Sequence, residues 1–261
     1  MKKKIFLLLI FMIILTAAVI FVRTTNNFDE VIHNVLTNFF NPSEKFWVHR
    51  CNSIEKARAM SEKFSGIEID ANFYPEENIG RKFDISHDYS GGVQMPLENF
   101  MPVFAETNSK IWFDFKNLKH ENAADSLQEL ENLLQKYNVN KARFIIESHN
   151  FRDLKIYHDA GFYTSFYVSV NHKIFKDNKL YENFCAEVRA AVSSGNVDAV
   201  SFPIEFYDAV KSAGVSADYL TWNTHNERWW TFYYKDNLRE MVNDSQVKVI
   251  LVVMKTPFDR Y

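Results

Sequence analysis

The segment IWFDFKNLKHENAADSLQELENLLQKYNVNKARFIIES, residues 111–148, decides the fold. It begins and ends with short runs rich in Ile and Phe that lack strict alternation, as is typical of strands buried on both faces. Between them, residues 121–137 carry apolar side chains three and four positions apart, which predicts an amphipathic helix. A strand, a helix and a second strand in this order indicate a parallel βαβ unit.

The same alternation continues over most of the chain. Further strand-like runs lie at 46–49, 66–72, 82–86, 164–170, 199–203, 219–222 and 247–253, and further helix-like stretches lie at 53–64, 151–160, 182–194, 203–213 and 235–244. Ser53 is a candidate N-cap. About eight such units predict an α/β protein, a (β/α)8 TIM barrel. A doubly wound open sheet is the alternative, but no Gly-rich turn follows the first strand.

Composition narrows the function classes. A length of 261 residues suits one α/β barrel, and the scarcity of glycine (7) and proline (6) argues against a disordered chain. The net charge is −3 and the basic residues are dispersed, so no nucleic-acid partner is expected.

The N-terminus predicts a membrane segment. Three lysines, residues 2–4, precede an apolar stretch from Ile5 to Val22, which indicates an N-terminal transmembrane or signal-anchor helix. We predict a membrane anchor or signal segment at 1–23, a juxtamembrane linker or helix at 24–43, and the barrel at 44–261. The lysines would stay in the cytoplasm and the barrel would be periplasmic or extracellular; secretion after signal cleavage is the alternative.

The linker contains FDEVIHNVLTNFF, residues 28–40. This run predicts an amphipathic helix that rests on the bilayer or on the barrel.

Acidic residues end several of the predicted strands. Glu68 and Asp70 are two positions apart in GIEID, so their side chains share one face of a strand, and Asp114 ends IWFD. The C-terminal ends of barrel strands meet at one mouth, where active sites lie. Like charges this close require a cation or a proton between them, so these acids predict a site for a hard divalent cation. The alternative is a set of acids that face water.

Two histidines also end strand-like runs, His49 in FWVHR and His87 in FDISH. Histidine titrates near neutral pH, so the pair predicts a general base and a general acid. No zinc-binding spacing of Cys and His is present.

Other mouth residues admit two interpretations each. Lys116 either neutralises phosphate charge or forms a salt bridge with Asp114 or Glu68. Arg50 grips a phosphate or points away, and Asn52 donates a hydrogen bond to substrate or caps the next helix. Glu147 is either a further mouth acid or a hydrogen-bond acceptor that orients Lys116. Trp222 either forms a wall of the pocket or packs in the core.

These motifs resemble a known superfamily. HR at 49–50, IEID at 67–70, HD at 87–88, DFK at 114–116 and TWN at 221–223 are similar in order and placement to the glycerophosphodiester phosphodiesterases and other phospholipase C-like TIM barrels. Cys51 stands where that family usually has glycine, and Asp114 stands where a glutamate is common. The HRCNSI segment at 49–54 and the FDFK strand also resemble the sphingomyelinase D-like branch. The short loop before GIEID resembles the menorin-type branch.

The resemblance implies a phosphodiesterase that uses Mg²⁺ or Ca²⁺. It implies metal ligands at Glu68, Asp70 and Asp114 and acid–base catalysis by His49 and His87. Arg50, Asn52, Lys116 and Trp222 are then predicted to bind the substrate, a lipid headgroup or a glycerophosphodiester-like molecule, with a cyclic phosphate as a possible product.

Two other functions are compatible with the sequence. The first is a catalytically inactive barrel that binds a lipid or a glycan. The second is a sugar hydrolase acting through Glu68 and Glu147, which leaves the histidines and Lys116 unexplained.

Overall fold

Eight parallel strands close into a barrel in the computed structural model of the protein, which describes residues 43–75, 82–88, 93–222 and 235–254. The strands in the described residues are Phe46–Val48 (β1), Gly66–Tyr74 (β2), Lys82–Ile85 (β3), Lys110–Phe115 (β4), Phe144–Ser148 (β5), Tyr163–Tyr167 (β6), Ala199–Pro203 (β7), Asp218–Trp222 (β8) and Val247–Val252 (β9). Around the barrel the order is β1-β2-β4-β5-β6-β7-β8-β9, and β9 pairs with β1. The predicted TIM barrel is confirmed.

Helices follow the strands on the outside of the barrel. The α-helices in the described residues are Ile54–Ser61 (α1), Met101–Glu106 (α2), His120–Lys136 (α3), Lys155–Asp159 (α4), Asn178–Ser193 (α5), Tyr207–Ser212 (α6) and Lys235–Asn243 (α7). Ser53 caps α1 by accepting a hydrogen bond from the N–H of Lys56. Helix α2 has no counterpart in the sequence prediction, because its six residues are too short for a helical period to stand out.

One predicted strand has a different role from the others. β3 runs antiparallel to the C-terminal half of β2, with Ala71 opposite Ile85 and Tyr74 opposite Lys82. It therefore lies outside the barrel ring. Its ring Phe83 packs on Phe113 and Phe115 at centroid distances of 5.2 and 5.3 Å, so β3 covers the outer face of β4.

The alternation of side chains along a strand divides the core into two parts. In β4, Phe113 and Phe115 face the helices, whereas Trp112 joins Trp47, Leu220 and other residues in a separate interior cluster. The indole of Trp47 packs directly on Gly66, where an added Cβ would lie 2.2 Å from the ring. A glycine is therefore required at this position.

Among the described residues, no helix has both the length and the apolar character needed to cross a bilayer. The anchor predicted at 1–23 and nearly all of the linker predicted at 24–43 lie outside the described residues.

Candidate active site

A cavity of about 120 Å³ opens at the C-terminal ends of the barrel strands. Most of the predicted site residues converge on it, although they come from distant parts of the chain. Its lining residues are His49, Arg50, Glu68, His87, Trp112, Asp114, Lys116, Glu147, Tyr167, Trp222 and Leu251. We call this cavity the mouth cavity.

Three carboxylates gather beside the mouth cavity. β2 and β4 are paired so that Asp70 lies opposite Asp114, and one oxygen from each of these two and from Glu68 lies within 4.8 Å of the others. All three residues are buried. The Oε1 atom of Glu68 is buried and has no hydrogen-bond partner among the described residues. Three close carboxylate groups, with an unpartnered oxygen on Glu68, match the donor set of Mg²⁺ or Ca²⁺.

The turn after β1 holds Glu68 in place. The N–H of Arg50 donates to Glu68 Oε2 at 2.5 Å, and the N–H of Cys51 donates to the Glu68 carbonyl at 2.8 Å. Burial, followed by repulsion from Asp70 and Asp114, raises the pKa of Glu68 well above its usual range. The charged form of Glu68 is therefore disfavoured while no cation is bound.

Asn52 fixes Asp70. Its amide donates to Asp70 Oδ2 at 2.6 Å, and its oxygen accepts from the Asp70 N–H at 3.0 Å. Since Ser53 caps α1, the alternative helix-capping role predicted for Asn52 is wrong. Asn52 therefore orients Asp70, a candidate metal ligand, and the contact of Asn52 with substrate stays a prediction.

Lys116 provides the positive charge among the acids. Its Nζ lies 2.7 Å from Asp70 Oδ1 and also donates to Asp114 Oδ2. The salt bridge with Asp114 matches one of the two predicted roles, and the further partner is Asp70 rather than Glu68. Burial opposes ionisation of Asp70, but Lys116 and Asn52 outweigh it and hold the pKa of Asp70 below its usual range. Burial raises the pKa of Asp114 despite the nearby ammonium of Lys116.

His49 lies at the inner side of the mouth cavity. Its Nε2 is 3.7 Å from Glu68 Oε2, and its side chain is 14 % exposed. Burial lowers the pKa of His49 to about 3, against the opposing attraction of Asp70. The imidazole is therefore neutral near pH 7 and able to accept a proton.

His87 reaches the mouth from a strand outside the barrel ring, and not from the end of a barrel strand as predicted. It follows β3, outside the barrel ring, and arrives at the mouth because β3 runs back along the extension of β2. The connection is held by the Asn72 amide, which donates to the Ser86 carbonyl at 2.8 Å. The His87 side chain is 46 % exposed, and its Nδ1 lies 2.7 Å from Asp88 Oδ1.

The HRC turn accommodates a cysteine at position 51. The left-handed backbone conformation falls on Arg50, with φ of 54°, and not on Cys51. Cys51 is buried and packs in the core, so a side chain is accommodated there. The turn also brings Arg50 to the mouth cavity, where its Nε is buried without a hydrogen-bond partner among the described residues.

An aromatic wall forms one side of the mouth cavity. Tyr167 lies between His149 and Trp222, with ring centroids 3.9 and 5.1 Å away. The predicted wall position of Trp222 is thus observed, but Tyr167 was not singled out from the sequence. Its only signal there is an aromatic residue at the end of a strand.

Glu147 is a fourth buried acid in the barrel interior. It accepts a hydrogen bond from Ser165 at 3.2 Å and lies opposite Asp114 in the pairing of β4 with β5. Burial and then the charge of Asp114 raise its pKa well above the usual range. Glu147 lines the mouth cavity, whereas the ammonium of Lys116 contacts Asp70 and Asp114, so the geometry favours a further mouth acid over the orienting role.

Comparisons with known proteins identify the fold. No family model matches the sequence, and no curated protein matches it. Among solved structures, a protein provisionally named a glycerophosphodiester phosphodiesterase from Galdieria sulphuraria has a TM-score of 0.51 at 14 % identity, covering 80 % of this chain and 93 % of its own. A similarly named protein from Silicibacter pomeroyi has a TM-score of 0.55 at 13 % identity, covering 84 % and 93 %.

A third solved structure carries a bound product. It is a phosphodiesterase from Oleispira antarctica in complex with sn-glycerol-3-phosphate, with a TM-score of 0.50 at 10 % identity and coverage of 83 % and 94 %. At such identities the likeness establishes a shared fold. The likeness therefore supports the resemblance inferred from the motifs at the level of the barrel fold.

Proposed function

We propose that the protein is a divalent-metal-dependent phosphodiesterase with His49 and His87 as its proton-transfer groups. The observation that carries the proposal is a cluster of three buried carboxylates beside one mouth cavity that two imidazoles line. Solved phosphodiesterases with the same fold support this reaction class.

Glu68, Asp70 and Asp114 would hold the cation. Mg²⁺ or Ca²⁺ bound there supplies Lewis-acid stabilisation of charge on a phosphate oxygen. The protein's contribution is to keep the three oxygens close, by means of the Arg50 N–H on Glu68 and the Asn52 amide on Asp70.

Lys116 and Arg50 would bind the phosphate group. Both line the mouth cavity, and Lys116 is already held in place by Asp70 and Asp114. Positive groups fixed where negative charge develops stabilise a transition state without reorganisation. Trp222 and Tyr167 would bound the side of the cavity that receives the rest of the substrate.

His49 and His87 would divide the proton transfers. The neutral, buried imidazole of His49 accepts the proton of the nucleophile, which is water or a hydroxyl of the substrate. The more exposed His87 donates a proton to the leaving oxygen at the outer edge of the cavity. If a substrate hydroxyl attacks, the first product is a cyclic phosphate.

The proposed substrate is a glycerophosphodiester-like molecule or a phosphodiester lipid headgroup. A neighbour of the same fold holds sn-glycerol-3-phosphate, which supports the first choice. We further propose that residues 1–23 keep the enzyme at a membrane with its barrel in the periplasm or outside the cell, on the basis of the sequence pattern alone.

Hydrolysis of bis-p-nitrophenyl phosphate and of glycerophosphocholine tests the function. The full chain in detergent should release product with Mg²⁺ or Ca²⁺ and lose activity with a chelator. Glu68→Gln should abolish turnover, whereas Glu131→Gln, which changes an exposed acid of α3, should not. Phosphorus NMR would separate a cyclic phosphate from a monoester.

A folded wild-type protein that is inert on both substrates with every divalent cation would contradict the proposal. Activity that survives both the chelator and Glu68→Gln would contradict the metal site alone.

A further inference from the structure

A second and larger cavity lies at the opposite end of the barrel. It measures about 630 Å³, and its floor includes Trp47, Ile145, Leu220 and Val249, which belong to the interior cluster of the barrel. Such a volume corresponds to roughly twenty water molecules. The aromatic and aliphatic side chains of this floor favour an apolar occupant over water. We call this cavity the N-terminal cavity.

The rim of the N-terminal cavity is basic. Lys45, Lys110, Arg143 and Lys248 line it, against the two acids Glu44 and Asp218. Lys45 donates to the carbonyls of Val242 and Asp244, each at 2.8 Å, so it is fixed in position. The rim therefore suits an occupant that combines apolar side chains with negative charge.

The polypeptide enters the barrel at this rim. A 3-10 turn at Ser43–Lys45 precedes β1, and both Glu44 and Lys45 line the cavity. The indole N–H of Trp47 donates to the Glu44 carbonyl at 3.2 Å, which ties this turn to the cavity floor. The first described turn of the chain therefore lies at the edge of the N-terminal cavity.

The preceding sequence has the matching chemistry. In residues 28–40, apolar pairs at 31–32, 35–36 and 39–40 alternate with polar pairs, which is the pattern of an amphipathic helix. The segment contains Asp29 and Glu30 and no lysine or arginine. Two residues separate it from Ser43, so the Cα atoms of residues 40 and 43 are at most about 11 Å apart.

We propose that residues 28–40 dock in the N-terminal cavity. The apolar pairs would cover the aromatic floor, and the two acids would face the basic rim. The inference is independent of the proposed function. One consequence is that residues 5–22 join the barrel at the face opposite the mouth cavity, so the mouth would open away from any membrane that holds them.

Cysteine labelling of the full chain in detergent tests the docking. The native cysteines, Cys51 and Cys185, are buried. Ser65→Cys places an exposed thiol on the N-terminal cavity, and Ser169→Cys places one after β6 at the other end of the barrel. Val35→Asp in the segment should speed maleimide labelling of Ser65→Cys roughly tenfold. It should leave labelling of Ser169→Cys unchanged, and His33→Asn on the polar face should affect neither thiol.

Crosslinking provides a second measurement that does not depend on a destabilising variant. A short bismaleimide should join Thr37→Cys to Ser245→Cys at the cavity rim and should not join Thr37→Cys to Ser169→Cys. Equal crosslinking to both positions would overturn the proposal. So would labelling of Ser65→Cys that ignores Val35→Asp and slows only with added lipid vesicles or inorganic phosphate, since the occupant would then be a bilayer or a small anion.

Discussion

The two ends of the barrel use charge in opposite ways. At the mouth, Glu68, Asp70 and Asp114 are buried within 4.8 Å of one another, and the pKa values of Glu68 and Asp114 are raised by burial. At the N-terminal face, the cations Lys45 and Arg143 are hydrogen-bonded to main-chain carbonyls. The carboxylates at the mouth thus repel each other, whereas Lys45 and Arg143 are held by main-chain carbonyls.

This difference indicates that the mouth is built to bind a ligand and that the charges of the N-terminal face stabilise the fold. Buried like charges lower stability unless a ligand or proton compensates them, so their persistence points to a site that binds. Hydrogen bonds from Lys45 and Arg143 to main-chain carbonyls stabilise the fold whether or not a segment of the chain occupies the N-terminal cavity. Variants at the two ends should therefore separate activity from stability.

The largest effect is expected from His49→Ala. Loss of a proton-transfer group should lower kcat about 10²- to 10⁴-fold while the melting temperature changes little. The matched control is His158→Ala, which removes an exposed imidazole 3.6 Å from Asp198. Initial rates and circular dichroism of both variants check this, and equal losses in the two would reject a special role for the mouth.

Lys116→Gln should reveal the repulsion stored at the mouth. Removing the ammonium leaves Asp70 and Asp114 without their cation, which should lower the free energy of unfolding by roughly 3 kcal/mol in chelator. Added Mg²⁺ or Ca²⁺ should recover part of the loss, because it binds the same acids. Lys155→Gln, which breaks an exposed pair with Asp159, should cost under about 0.5 kcal/mol. Denaturant titrations with and without metal measure both losses, and a larger loss for Lys155→Gln than for Lys116→Gln would contradict the prediction.

Arg143→Met should have a smaller effect, confined to stability. The guanidinium donates to the carbonyls of Ser109 and Phe104, so its removal should cost about 1–2 kcal/mol. kcat/KM should remain that of the wild type. Thermal melts and steady-state kinetics provide the check, and a large fall in kcat/KM without unfolding would break the contrast between the two ends.

The smallest effect is expected at Asp244, on the N-terminal face. The Tyr207 hydroxyl donates to Asp244 Oδ2 at 2.7 Å, and the Gln246 N–H donates to Oδ1 at 2.9 Å. Burial opposes ionisation, but these hydrogen bonds and Lys211 outweigh it and hold the pKa of Asp244 below its usual range. The stabilisation is therefore present above the unfolded pKa of about 3.9 and is lost as pH falls through the folded value.

Tyr207→Phe should accordingly lower the free energy of unfolding by about 1 kcal/mol at pH 7. Measured against pH, the difference from wild type should shrink below about pH 4. A difference that stays constant to pH 2 would show that the hydroxyl does not act through ionised Asp244.

Local pattern predicted much of the architecture. The period of the apolar residues in 121–137 identified α3, and the Ile- and Phe-rich runs identified the barrel strands to within a few residues. Both signals arise within a few positions of the chain, so they can be read without the fold. The convergence of His49, Glu68 and Asp114 followed from one topological rule, that parallel strands end at the same face.

Features that depend on pairing escaped prediction. β3 has the same apolar pattern as a barrel strand, but its antiparallel partner is the extension of β2. Asn52 carries no mark of its bond to Asp70, eighteen positions away. Tyr167 becomes part of the site only because β6 and β8 place it beside Trp222.

The amino-acid sequence by itself determined the number and order of the barrel units and the residue types that end its strands, because periodicity and strand-end position are properties of neighbouring residues. Only the tertiary structure decided that Asp70 and Asp114 share Lys116, that His49 is less exposed than His87, and that a cavity with an apolar floor and a basic rim lies at the far end. Those outcomes depend on burial and on distances between atoms from separate strands, which no local stretch of the chain encodes.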